Sequence, residues 1–244
     1  MSRRALAPLF LIAATAASVP ALAAGLQIDG LQNLSQHDYR LLDEDLGAAL
    51  SYKPLAPGEP LGITGFDVGV GLTATSLRNT DVVQKADTTG TVFGTLPLPT
   101  LHVDKGLPYD LDVGLSVAKA PHSNVTLFGG ELRWALLSGD VALPSVSLRG
   151  AATQLDGVGQ LKFSTQSIDI SVSKGFLVAT PYGGVGEVWI HSTPQGIATL
   201  SSETFAKTRV FAGVDFHFGI FSADLELDEV GSVPSYGAKV GLRF

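Results

Sequence analysis

Cysteine is absent from the chain, which excludes a disulfide framework and any thiolate metal site, so something else must close the fold. Beyond the first two dozen residues no apolar run reaches the length a membrane-spanning helix needs. Basic residues are outnumbered, 16 against 23 acids, and the formal charge of −7 disfavours nucleic acid as a partner. The five histidines, His37, His102, His122, His191 and His217, are scattered without ligand spacing, so no metal site is expected. The glycine clusters Val68-Gly69-Val70-Gly71 and Gly183-Gly184-Val185-Gly186 lie in alternating segments with no helix behind them. They are not phosphate loops, and no cofactor is expected.

What is present begins with a leader. Arg3 and Arg4 precede an apolar stretch from Ala5 to Val19, and Ala21-Leu22-Ala23 follows as a small-x-small cleavage site. Residues 1–23 read as a Sec signal peptide, and its loss removes two arginines and brings the charge to about −9. Mean hydropathy is +0.28 and 28 glycines are spread through the chain, a combination that points to strands with one greasy face.

From residue 63 onward the period is two. Phe66, Val68, Val70 and Leu72 alternate with Asp67, Gly69, Gly71 and Thr73; Val210, Ala212, Val214, Phe216 and Phe218 alternate with Arg209, Phe211, Gly213, Asp215 and His217. Ten such runs stand at roughly 63–78, 96–105, 109–120, 124–138, 145–155, 167–175, 178–192, 204–218, 220–230 and 235–244. Short connections near 104–108, 138–144, 174–177 and 219–220 alternate with mostly longer polar ones at 79–95, 156–166 and 193–203; 121–123 and 231–234 are short exceptions on the second side. This asymmetry predicts an all-β fold, a closed antiparallel transmembrane β-barrel of about ten strands (eight to twelve) over residues 63–244. The sheet must close because an unpaired edge cannot stand in hydrocarbon. An even strand count places both strand ends on the short-turn, periplasmic side, and the N- and C-termini are expected in the periplasm. Outward aromatics gather there as an interfacial girdle: Phe66, Tyr109, Trp134, Phe176, Phe218 and Phe244.

The chain ends Tyr236-Gly-Ala238-Lys-Val240-Gly-Leu242-Arg-Phe244, apolar at every second position and closed by an aromatic, with a further aromatic eight residues back. This ending resembles the C-terminal signal of bacterial outer-membrane β-barrel proteins. The resemblance implies outer-membrane location, lipid as surroundings, and the outer-membrane assembly machinery as a partner that reads the strand ending in Phe244. The stretch from Leu34 to Gly69 is also similar to a group of uncharacterised proteobacterial outer-membrane proteins, a likeness that implies no activity.

Residues 24–62 stand apart from the strands. Ser35 is an N-cap candidate with Asp38 three residues on, Leu34 and Tyr39 are placed as a hydrophobic staple, and Tyr39, Leu42, Leu46, Ala49 and Leu50 recur at helical spacing. The pattern predicts a short N-terminal amphipathic helix ended by Pro54 and Pro57, serving as a periplasmic lid or a lumen plug. An extra strand over 45–52 is the remaining alternative.

Inward parity places a charge cluster in the lumen: Asp110, Asp112, Glu131, Arg133, Arg149, Arg209, Asp215, His217, Asp224, Glu226, Lys239 and Arg243, with Asp67, Asp104, Asp169, Glu187 and Asp228 beside them. Eleven acids against five bases give a lumen charge near −6. A final loop centred on 232–233 sets Glu226 opposite Lys239 and Ser222 opposite Arg243, and the turn at Gly219-Ile220 sets Asp215 opposite Asp224. Two readings follow: a narrow channel or carrier for small cationic or neutral solutes, or a structural or surface-interaction barrel with a filled lumen. A monomer is expected. Catalysis is not expected, because no nucleophile, base and orienter converge: His191 shares its face with Trp189 and Glu187, while Ser192 points the other way.

Overall fold

The computed structural model describes residues 27–88, 94–121, 123–140 and 142–244; the leader and His122 lie outside them. After a 3-10 turn at Leu31–Asn33 comes helix α1, Gln36–Leu50, then strand β1, Phe66–Ser76, and a short helix α2, Thr80–Ala86. Nine further strands follow: β2 Thr95–Leu107, β3 Leu111–Lys119, β4 Thr126–Leu137, β5 Ser145–Asp156, β6 Leu161–Ser173, β7 Ala179–Pro194, β8 Glu203–Phe218, β9 Phe221–Val230 and β10 Val233–Arg243. Each strand pairs antiparallel with its neighbours, and β10 returns to β1, closing a ten-stranded barrel. Phe66 and Phe244 complete the seam, each amide donating to the other's carbonyl (2.6 and 2.9 Å), and their rings stack at 5.9 Å. Closure leaves no free strand edge, which is what replaces the missing disulfides.

Helix α1 starts where expected: the Ser35 hydroxyl accepts the Asp38 amide at 3.1 Å. Its place is different. The first described residues and α1 sit at the long-loop end, where Gln36 and Arg40 reach Glu203 and Asp45 accepts the amides of Arg78 and Asn79 at 3.1 and 2.7 Å. The C-terminus and the start of β1 lie at the short-turn end. Both ends of the sheet thus share the short-turn side as the strand count predicts, while the first described residues stand at the opposite end; among the described residues there is neither a lid beneath the short turns nor a strand over 45–52.

In the second half of α1, Asp45, Leu46, Gly47, Ala48, Ala49 and Leu50 are all buried. The helix enters the barrel mouth and meets inward-facing Leu98, Leu127, Phe163, Val188, Ile190 and Val230 in one apolar core. Each such leucine or isoleucine stabilises the seat by about 1.5–3 kcal/mol. This core explains a misread connection. Residues 161–166 continue β6, with Leu161 and Phe163 pointing in against the helix and Lys162, Ser164 and Gln166 pointing out. Near the mouth the greasy face is the inner one, so an outward-apolar rule sees only a polar loop.

Candidate functional site

Between α1 and β1 the chain descends the lumen from mouth to short turns as an extended strap. Residues 51–58 are buried throughout, and every level of the wall holds them. The Lys53 ammonium pairs with Asp228. Leu55 seats between Gly71 and Gly237, where a side chain on Gly237 would strike it. The Pro57 carbonyl accepts from Arg133 at 3.0 Å and the Gly58 carbonyl from Ser145 at 3.1 Å. The Leu61 amide donates to Asp112 at 3.1 Å. Gly62 packs so closely on Gly106 that a Cβ there would overlap its backbone. Inward glycines are thus sockets for the strap.

Around the strap the wall charges join into two networks, one at mid-barrel and one nearer the short turns. Arg133 binds Asp112 at 2.7 Å and lies 4.0 Å from Glu131; Arg149 binds Asp169 at 2.8 Å and Glu131 at 3.5 Å. Arg209 reaches Asp228 at 2.5 Å, Glu226 at 3.6 Å and Asp169 at 3.7 Å. Nearer the short turns Lys239 spans Asp67 and Asp224 at 3.3 and 3.5 Å, and Arg243 spans Asp67 and Asp215 at 2.8 and 3.3 Å. The adjacent pair Asp215 and Asp224 is real, and each carboxylate is met by its own base. His217 faces inward opposite Ser222 at the same end. Burying one member of such a network alone is costly, so the charges stand or fall together.

Three sequence expectations are corrected. Asp110 lies in the β2–β3 turn, exposed and bonded to Ser138 at 2.9 Å, because the strand ends at Leu111. Glu187 points outward with Trp189 and His191, because the apolar parity of β7 inverts where Val188 and Ile190 meet the helix. In the last hairpin Asp224, not Glu226, faces Lys239, and Ser222 faces Gly241; Gly231 at φ +64° closes a tighter turn than one centred on 232–233. With Lys53 added, nine buried wall acids face six bases, so the acid excess is half the expected one.

Beside Tyr52, Lys53 and His102 lies a cavity of about 20 Å³, room for about one water. Tyr39 and Ser192 share a buried hydroxyl pair beneath α1, and neighbouring Asp43 is fully buried with neither oxygen hydrogen-bonded. Burial pushes the Asp43 carboxyl up to about 8. Ser192 faces this core while His191 faces out, 3.4 Å from Thr204, so the two do not form a dyad. The six girdle aromatics are all exposed. Lys53 and the strap had no local signal in the sequence; the change of apolar parity within β2 and β7 was the available clue.

No protein-family model matches the chain, and no curated protein does. Solved structures overlap with it weakly. The N-terminal β-barrel domain of Pseudomonas aeruginosa OprF is 15% identical, with 75% of this chain and 99% of that one covered and a TM-score of 0.37. The KdgM porin is 7% identical, with 73% and 99% covered and a TM-score of 0.38. Ail, the attachment invasion locus protein of Yersinia pestis, is 13% identical, with 74% and 99% covered and a TM-score of 0.32. Likeness at this level carries no argument about activity; the closed strand order is what establishes the barrel.

Proposed function

We propose that the chain is a bacterial outer-membrane barrel, exported by its leader and inserted as a monomer with its long loops outward, that rests closed and works as a surface-interaction barrel. The observation that carries this reading is the buried strap, residues 51–58, which runs down the lumen between paired charges; the cavity beside Tyr52 and Lys53, about 20 Å³, is far too small for a solute. The working surface is then the long-loop end, where the first described residues, α2 and the β7–β8 loop lie together. Export by the Sec route and recognition of the strand ending in Phe244 by the assembly machinery belong to the same proposal. We assign no catalysis to it, since Ser192 and His191 lie on opposite faces of β7.

The channel reading has one observation in its favour: the wall still carries more acids than bases, so a lumen freed of the strap is a cation-preferring constriction. Single-channel recording of the refolded mature protein in a planar bilayer, at two salt concentrations, separates the two. Silence from the folded protein supports the closed barrel. Steady cation-selective steps from the intact chain overturn it and restore the channel.

A further inference from the structure

The outer wall of the barrel carries a second, separate arrangement. Gly130 and Ala152 face each other across β4 and β5, and with Gly150 they floor a trough of about 510 Å³ running from Leu115 to Gln166 and Trp189. Neither glycine is needed by the fold. Their φ values are not positive, and a Cβ added to Gly130 or Gly150 would meet nothing nearer than 3.7 or 4.0 Å. A second trough of about 390 Å³, lined by Leu148, Ile168, Ile170 and Val185, ends at Glu187 and Thr208. Ile168 stands between the two. Both troughs therefore end, toward the long loops, at neighbouring residues of β7: Glu187 and Trp189.

Glu187 is exposed on this wall and, among the described residues, makes no hydrogen bond or ion pair. A lone carboxylate on a lipid-facing wall is unfavourable unless something supplies the opposite charge. Trp189, two residues on along the same face, offers an indole surface of the kind that attracts ammonium groups. Gln166 lies directly across from Trp189, and His191 and Thr204 lie one step nearer the rim; these supply hydrogen-bond donors.

We infer that this face binds a two-chain lipid with a primary ammonium headgroup: its N–H groups donate to Glu187 beside Trp189, which a choline headgroup cannot do, the phosphate takes the donors of Gln166 and His191, and one acyl chain lies in each trough. An anionic headgroup is disfavoured by Glu187, and a sugar headgroup leaves its charge unmatched. The inference rests on the wall facing lipid, as proposed above, and not on the state of the lumen.

The test uses the full mature chain with Trp134→Phe, which leaves Trp189 as its one indole. It is refolded into phosphatidylcholine vesicles containing phosphatidylethanolamine, phosphatidylglycerol or a diacyl glucosyl lipid, each with acyl chains brominated near the carbonyl. Phosphatidylethanolamine should quench Trp189 about threefold more effectively than the other lipids at equal fraction. Glu187→Gln should remove that preference, and Gly150→Leu, which fills a trough without a clash, should weaken quenching by every lipid. Equal quenching by all lipids, a preference for the anionic or glucosyl lipid, or a preference that survives Glu187→Gln overturns the inference. Heat-modifiable mobility reports insertion separately: a chain that never inserts overturns the membrane reading itself.

Discussion

Asp43 is the residue whose chemistry most directly sets how firmly the helix is seated. Its folded-state pKa is raised by burial to about 8, from an ordinary value near 3.8. A carboxyl raised in this way favours the seated state most below pH 4; the advantage declines as pH rises toward 8 and changes no further above that. Hydrogen-exchange protection of α1 should therefore fall between about pH 4 and pH 8, and Asp43→Asn should flatten the profile. An unchanged profile in the variant would remove Asp43 from the mechanism. Arg209 gives the second test at this scale. It is fully buried among Asp228, Glu226 and Asp169, and replacing it with Met leaves Glu226 without a base and Asp228 and Asp169 with one each, Lys53 and Arg149. The loss should be about 3–5 kcal/mol, read from urea unfolding in detergent micelles. Individual charges such as Arg133, Arg149 and Lys239 were legible in the sequence because period-two parity assigns a face. Asp110 and Glu187 were not, because parity stops at a turn and inverts beside a helix packed inside the barrel.

Among the elements, the strands were easier to read than the strap. Alternation marked every strand, and the short turns ordered them, because a two-faced wall writes its faces into the sequence. The strap writes nothing comparable: Lys53-Pro54-Leu55-Ala56-Pro57-Gly58 has no period, and its fit is specified by distant residues, chiefly Gly71, Gly237 and Asp228. That fit is testable. Gly237→Leu should push Leu55 out of its socket and expose residues 51–58 to protease, while the barrel keeps its heat-modifiable mobility. The hairpin of β9 and β10 shows how finely register depends on a turn, since Gly231 alone moves Lys239 from Glu226 to Asp224. Just past β10, Phe244 closes the seam with Phe66. Its deletion should lower the yield of barrel assembled in vivo several-fold while leaving slower refolding in detergent possible, which Western blotting of heat-modifiable species checks.

At the scale of the whole molecule, the strap rather than the wall decides whether anything passes. Deleting residues 25–62 should turn a silent barrel into a cation-preferring pore, and neutralising Asp112, Asp224 and Glu226 in that background should reduce the preference. The same strap also constrains the order of assembly. It enters at the mouth and leaves beneath the short turns, with α1 and the 3-10 turn packed as a knob at one end and the whole sheet attached at the other. A knob of that size cannot be drawn through a finished barrel whose lumen admits a single extended chain. The sheet must instead curl around the strap, and the last zipper to close is the pairing of β1 with β10. A separate peptide of residues 25–62 should accordingly be captured when it is present during refolding of the shortened barrel, and ignored when it is added afterwards.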